Sequence, residues 1–364
     1  MKSPALAWPL ICLLLAACTA ASPTGNASAP ASVAASASVE EPTPTADPTS
    51  PEIGWHLVEA AGPLPDARED HTLTVTPDGS TAYLFGGRTA DGRSLDDLWS
   101  LDLATDTWSR VTGDGPPARF GHNAAWVESV GLVIFAGQSE AAFYNDLWAY
   151  DPAADAWSQL PSGGDAPVAR YGSCAAVGPD GRLWISHGFT SDGSRFADTR
   201  AYDFSTQTWT DETPAAERPV ERCLHSCWWT DNGAAFVLYA GQTTGVFALG
   251  DLWQLIPGPR PGTNSWSMIG PGERWPPDRQ LPATARWGAA TLVFGGRGLD
   301  GTYLADAWLI DDAGLAERLR LEGPAARAGA ELIADPVRGR MLLFGGRDAD
   351  LAMNDLWAVE LPTR

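Results

Sequence analysis

Short apolar runs that end in a small-residue pair recur along this chain at nearly even spacing. They are YLFGGR at 83–88, VIFAGQ at 133–138, WISHGF at 184–189, VLYAGQ at 237–242, LVFGGR at 292–297 and LLFGGR at 342–347. The last glycines of these runs, at 87, 137, 188, 241, 296 and 346, step by 50, 51, 53, 55 and 50 residues. Each unit predicts four short extended segments bounded by turn formers such as PDG, GDG and PGP. One segment follows an arginine, one runs into the glycine pair, one carries an acidic-Leu-Trp unit, and one carries a tail tryptophan. Polar and apolar positions alternate in Leu101-Asp102-Leu103, and no long segment shows a helical stripe, although LAERLRL at 315–321 would make one helical turn.

The markers hold their spacing even where the residue changes. The third-segment tryptophans are Trp99, Trp148, Trp253, Trp308 and Trp357, with Arg200 in that place in the third unit. From the last glycine of each run to this position the distances are 12, 11, 12, 12, 12 and 11 residues. Tail tryptophans follow at Trp108, Trp157, Trp209 and Trp266; the fifth unit has none, and the sixth has no tail segment. The repeat glycines are Gly86 and Gly87, Gly137, Gly241, Gly295 and Gly296, and Gly345 and Gly346. The arginine that opens each unit is read as Arg68, Arg119, Arg170, Arg222, Arg286 and Arg327.

Six four-stranded units make either an open array or a closed ring. An open array needs polar capping repeats, and neither end looks like one; radial closure leaves only short outer edges. Residues 54–59 (GWHLVE) read as a spare fourth segment, so Trp55 is expected to complete the sixth unit and shut the ring. The fold class expected is all-β, a six-bladed β-propeller whose last blade is closed by an N-terminal strand. The signature of apolar run, glycine pair, acidic-Leu-Trp and tail Trp resembles the kelch repeat. It spans residues 53–364, with the pair degraded to Ala-Gly or His-Gly in three copies.

The N-terminus adds a second layer. Residues 1–17 have the layout of an export signal, and Leu15-Ala16-Ala17-Cys18 resembles the lipobox of bacterial lipoproteins, which implies acylation of Cys18. Residues 18–52, rich in Ala, Ser, Thr and Pro, read as a flexible tether. Location is then extracytoplasmic, with the membrane reached only through the N-terminal lipid. Lys plus Arg is 24 against 45 Asp plus Glu, a formal charge of −21, which disfavours nucleic acid as a partner. The expected state is a monomer without cofactor or bound metal.

Periodic residues build blades, so a site is sought among the aperiodic ones. His71, His122 and His225 all fall three residues after a repeat arginine and read as scaffold, whereas His187 stands where glycine belongs. With Arg200 and Glu221, His187 is a candidate channel or site residue. Trp228 and Trp229, and Arg274, Trp275 and Arg279 in the insertion 270–287, are candidates for a binding rim. Cys174, Cys223 and Cys227 suggest one disulfide rather than zinc, with both Cys223–Cys227 and Cys174–Cys227 open.

No catalytic motif rises above the repeat, so the expected function is a surface-anchored binding or scaffold module for a protein or glycan. The alternative is a sugar-directed enzyme similar to the kelch-type sialic-acid mutarotases, with Glu128, Glu140, Glu221 or Arg200 as acid–base groups. Copper radical oxidases fit worse: that family uses seven blades and a tyrosine-rich site, and this chain has six units and seven Tyr.

Overall fold

In the computed structural model, described over residues 54–361, strands form six antiparallel four-stranded sheets in sequence order. The signal, Cys18 and the tether lie outside the described residues. Blade 1 comprises Thr72–Val75, Thr81–Phe85, Leu98–Asp102 and Thr107–Val111, and the other blades repeat this plan. Blade 3 carries an extra two-residue strand, Gly163–Gly164, parallel to its outermost strand. The innermost strands contact one another in an unbroken cycle from blade 1 to blade 6 and back, so the ring is closed.

Closure is made by the N-terminal strand His56–Val58, which pairs with Leu356–Val359 in blade 6, His56 facing Ala358 and Val58 facing Leu356. Trp55 is buried and meets Phe294 of blade 5 at 5.5 Å, as Trp108 of blade 1 meets Phe344 of blade 6 at 5.1 Å. The predicted helical turn at 315–321 is absent: Ala316–Leu319 is the outermost strand of blade 5. Edge pairing with Ala307–Asp311 overrides the short local helical pattern there.

The core is divided. Six separate apolar clusters lie at the six seams between neighbouring blades, rather than around one centre. A sheet hydrophobic on both faces has to be covered on both, and in a ring each blade covers its neighbours.

The repeat arginines tie each blade internally. Arg68 is fully buried; Nη1 and Nη2 donate to both oxygens of Asp97 at 2.7 and 2.9 Å, Nη1 also to the Gly86 carbonyl, and Nε to the Asp66 carbonyl. The same set recurs in Arg119–Asp146, Arg170–Asp198, Arg222–Asp251 and Arg327–Asp355. In blade 5 the arginine is Arg279, bonded to both oxygens of Asp306 and to the Gly295 carbonyl, which corrects the assignment of Arg286. Arg286 lies on the innermost strand of that blade and pairs with Asp312. With Arg279 in the series the arginine spacing becomes 51, 51, 52, 57 and 48 residues, where Arg286 would give steps of 64 and 41 at the same place.

The aspartates before Leu-Trp are thus the acceptors of the guanidinium groups. Burial pushes each carboxyl up, but the hydrogen bonds and charge of its arginine outweigh this and hold it below the usual carboxylate range. The following indole donates to the same carboxylate, at 2.7 Å for Trp99 to Asp97. The first residue of each glycine pair is left-handed in all six blades. Ala136, His187 and Ala240 accept φ of 62°, 58° and 66° because their carbonyls are held by the arginines.

Candidate functional site

The axis of the ring is organised by the residues just after the repeat arginines. Two positions on stand Asp70, Gly121, Gly172, Leu224, Leu281 and Gly329, all left-handed. Each backbone N–H donates to the carbonyl of the equivalent residue one blade back, at 2.8–3.2 Å, and Asp70 closes the circle on Gly329. A second circle links the last glycine of each pair to the carbonyl of the next blade's arginine, ending with Gly346 on Arg68. The inner circle narrows one end of the axis. Gly121 has no side chain because a Cβ there would collide with the Tyr171 ring, which reaches across so that its hydroxyl donates to Asp70 Oδ2 at 2.8 Å.

On the outer side of this circle, the residue after each arginine pairs with the residue after each glycine pair. The pairs are Glu69 with Arg88, Phe120 with Gln138, Tyr171 with Phe189, Cys223 with Gln242, Gln280 with Arg297, and Ala328 with Arg347. Two arcs result. Blades 5, 6 and 1 present Arg297, Arg347 and Arg88; blades 2 and 3 present Phe143, Tyr171 and Phe189, backed by the buried Phe120, with edge contacts of 5.6–6.2 Å among these rings. Arg88 and Arg347 converge on buried Glu69 at 2.7 and 3.2 Å. Arg88 also lies over Phe120 at 4.6 Å. Arg297 stacks on Phe247 and Tyr303 at 5.0 and 5.4 Å, donates to the Gly301 carbonyl and has no acidic partner among the described residues. A partly exposed guanidinium between aromatic faces, free of a carboxylate, is a ready donor to one.

Beneath this face the electrostatics change. Burial, reinforced by the charge of Glu69, pushes the Asp70 carboxyl up to about 7 against the opposing pull of Arg88, Tyr171 and Arg347. Burial and the Asp70 charge raise Tyr171 well above its ordinary range. Inward of the circle lies a cavity of about 240 Å³ between the inner strands.

The sequence-derived candidates are not brought together. Trp228 is buried and meets Tyr239 at 6.4 Å, and Trp229 packs against Trp184 at 5.4 Å; both fill seams rather than a rim. Arg279 is the buried blade arginine. Trp275 lies against Tyr239 with Ala316 and Trp308, where the missing tail tryptophan of blade 5 would sit, and its indole donates to the Gly250 carbonyl. Arg274 alone of the rim set is exposed.

His187 is fully buried, its Nδ1 2.6 Å from Ser186 Oγ and its ring 5.5 Å from that of His225. Arg200 replaces the indole of its blade by donating Nε to Asp198 Oδ2 at 3.2 Å. Glu221, Glu128 and Glu140 are exposed, and Glu140 accepts the Ser94 N–H and hydroxyl. His71, His122 and His225 are buried at the seams, His71 and His122 edge-on to Phe344 and Phe85 and His225 against His187. Burial lowers them, His71 to about 3, so they stand neutral. Cys174 and Cys227 form the disulfide and Cys223 is free and buried. Among the described residues no group of three His, Cys, Asp or Glu could hold a metal ion.

The arginine–aromatic face was missed because its members are periodic. Arg88, Arg297 and Arg347 were visible in the sequence as the residues ending FGGR, and the signal was that this position varies to Gln and Phe while the glycine before it does not.

Comparison with known proteins agrees with this architecture. Residues 50–241, more than half the chain, match the family model described as the KLHDC2/KLHL20/DRC7 Kelch-repeats domain. Acyl-CoA-binding domain-containing protein 4 of Arabidopsis thaliana is 32% identical over 159 residues, 43% of this chain and 23% of that protein. Kelch domain-containing protein 3 of Bos taurus is 29% identical over 217 residues, 56% of this chain and 55% of that protein. The chain thus spans about a quarter of the plant protein and about half of the bovine one. The solved structure of YjhT superposes with a TM-score of 0.65 at 17% identity, over 83% of this chain and 97% of that one, a likeness of fold alone. With six in-phase units, arginine-tied blades and a strand-closed ring, the chain belongs to the Kelch-repeat family.

Proposed function

We propose that the protein is a non-enzymatic binding module that takes a carboxylate-bearing glycan on the arginine–aromatic face. The observation that carries this is the unpaired Arg297 in one arc with Arg347 and Arg88, facing an arc of phenylalanine and tyrosine rings, on a chain whose net charge is −21. Guanidinium groups take the carboxylate and ring faces take the apolar faces of sugars. The disulfide supports export, because such bonds persist in oxidising compartments. Acylation at Cys18 followed by the 18–52 tether would then hold the propeller outside the membrane; Cys18→Ser is expected to release it from the membrane fraction.

The test is titration of acidic and neutral oligosaccharides, and of acidic peptides, into wild type and Arg297→Met. Saturable binding of an acidic sugar that weakens at least tenfold in the variant supports the reading. Binding of peptides alone would move the ligand to a protein segment. Anomer exchange catalysed by the protein, followed by NMR, would make it a sugar-directed enzyme instead.

A further inference from the structure

The cavity on the inner side of the backbone circle belongs to neither the arginine face nor the blade seams. Its walls are rich in oxygen donors: Thr72, Asn123, Ser173, Ser226 and Thr284 line it, together with the carboxyl groups of Asp70 and Glu331. No lysine or arginine lines it. The imidazoles along the wall pack into seams, His71 edge-on to Phe344 and His122 edge-on to Phe85, and His122 is hydrogen-bonded to Thr72.

The two carboxyls come from adjacent blades. Asp70 donates its backbone N–H to the Gly329 carbonyl at 2.9 Å, and Glu331 lies two residues further along that same strand. Asp70 is 7% exposed, yet its Oδ1 has no hydrogen-bond partner. An orphaned carboxylate oxygen at that depth costs free energy unless something completes it. Their equivalents on the other inner strands are uncharged, so the acidic pair has no periodic explanation.

We propose that this axial cavity is a divalent-cation site, in which Asp70 and Glu331 hold Ca²⁺ or Mg²⁺ with wall hydroxyls, the Asn123 amide oxygen and retained water. Both ions take oxygen ligands and keep part of their hydration when carboxylates are few. A cavity of about 240 Å³ leaves room for an ion and several waters. The ion would bridge blades 6 and 1, where the N-terminal strand completes the ring, and so act as a clasp on the closure.

Burial and the Asp70 charge push Glu331 up to about 8, and Asp70 stands at about 7. The other charged or titratable groups acting on Asp70 are Glu69, Arg88, Arg347 and Tyr171.

The experiment is calorimetric titration of CaCl₂ and MgCl₂ into EDTA-treated full-length protein and Glu331→Gln at pH 8. One site per chain, at least tenfold weaker in the variant, is expected, while the variant in EDTA melts no lower than wild type. Equal affinity in the two proteins would assign the binding to surface acids and overturn the proposal, as would no binding at millimolar ion. Crystals soaked in Mn²⁺ give a check that needs no variant: an anomalous peak between Asp70 and Glu331 supports the site, and peaks only on the surface overturn it.

Discussion

Blades 3 and 5 each lack one of the two tryptophans that the other blades carry, and they recover in different ways. Blade 3 has Arg200 in its third segment, and the guanidinium simply takes over as donor to Asp198. Blade 5 has no tail tryptophan, and its place against Tyr239 is filled by Trp275 from the connection after blade 4. The difference separates two roles that look alike in sequence. The acidic-Leu-Trp indole serves the aspartate as a hydrogen-bond donor, so a polar residue on the same strand can stand in. The tail indole supplies apolar volume between blades, which only another large apolar group restores.

The most damaging way to break this comparison is to remove the arginine that both blades retain. Arg279→Ala is expected to cost about 3–5 kcal/mol in urea unfolding, because it strands the Asp306 carboxylate and the Gly295 carbonyl. Arg286→Ala, at the position the sequence suggests, should cost below about 1 kcal/mol for its partly exposed pair with Asp312. Equal losses would refute the assignment of Arg279 to the repeat.

Trp275→Ala comes next, at about 3 kcal/mol, if the residue fills the blade 4–5 seam. A loss below about 1 kcal/mol would show that it is a surface side chain after all.

The comparison sharpens with pH. Three residues after its arginine blade 3 has Ser173 and blade 5 has Pro282, while blades 1, 2 and 4 bury an imidazole there. His71 is lowered by burial to about 3, so its contribution to stability is complete above pH 6.5 and is lost as pH falls from 6.5 towards 3. Installing the blade 3 residue in blade 1, as His71→Ser, should remove about 2 kcal/mol of the stability lost between pH 6.5 and pH 5. An unchanged acid limb in the variant would mean that the imidazole is not the group titrating.

A small effect is expected for Arg200→Ala, about 1 kcal/mol for a partly exposed charge-assisted bond, with Arg200→Trp recovering it. A loss of 3 kcal/mol or more would show that this position carries volume in blade 3 too.

The period, the number of blades, the extended segments and the closing strand were all legible in the chain. Each is written as a local alternation of side chains around glycine and tryptophan at a fixed step, and a sheet reads that alternation directly. What the tertiary structure decided are pairings between residues distant in sequence, within a blade and across blades. Arg279 rather than Arg286 could be chosen only when Asp306 and the Gly295 carbonyl were in reach. Likewise, Trp275 entered the repeat only by packing against Tyr239. Cys227 found Cys174 because neighbouring inner strands place their Cα atoms 5.7 Å apart, whereas Cys223 sits four residues away on the same strand approach. The arginine–aromatic face and the Asp70–Glu331 cavity follow the same logic: residues from fifty to 261 positions apart become neighbours only when the blades close into a ring, and sequence distance carries no record of that.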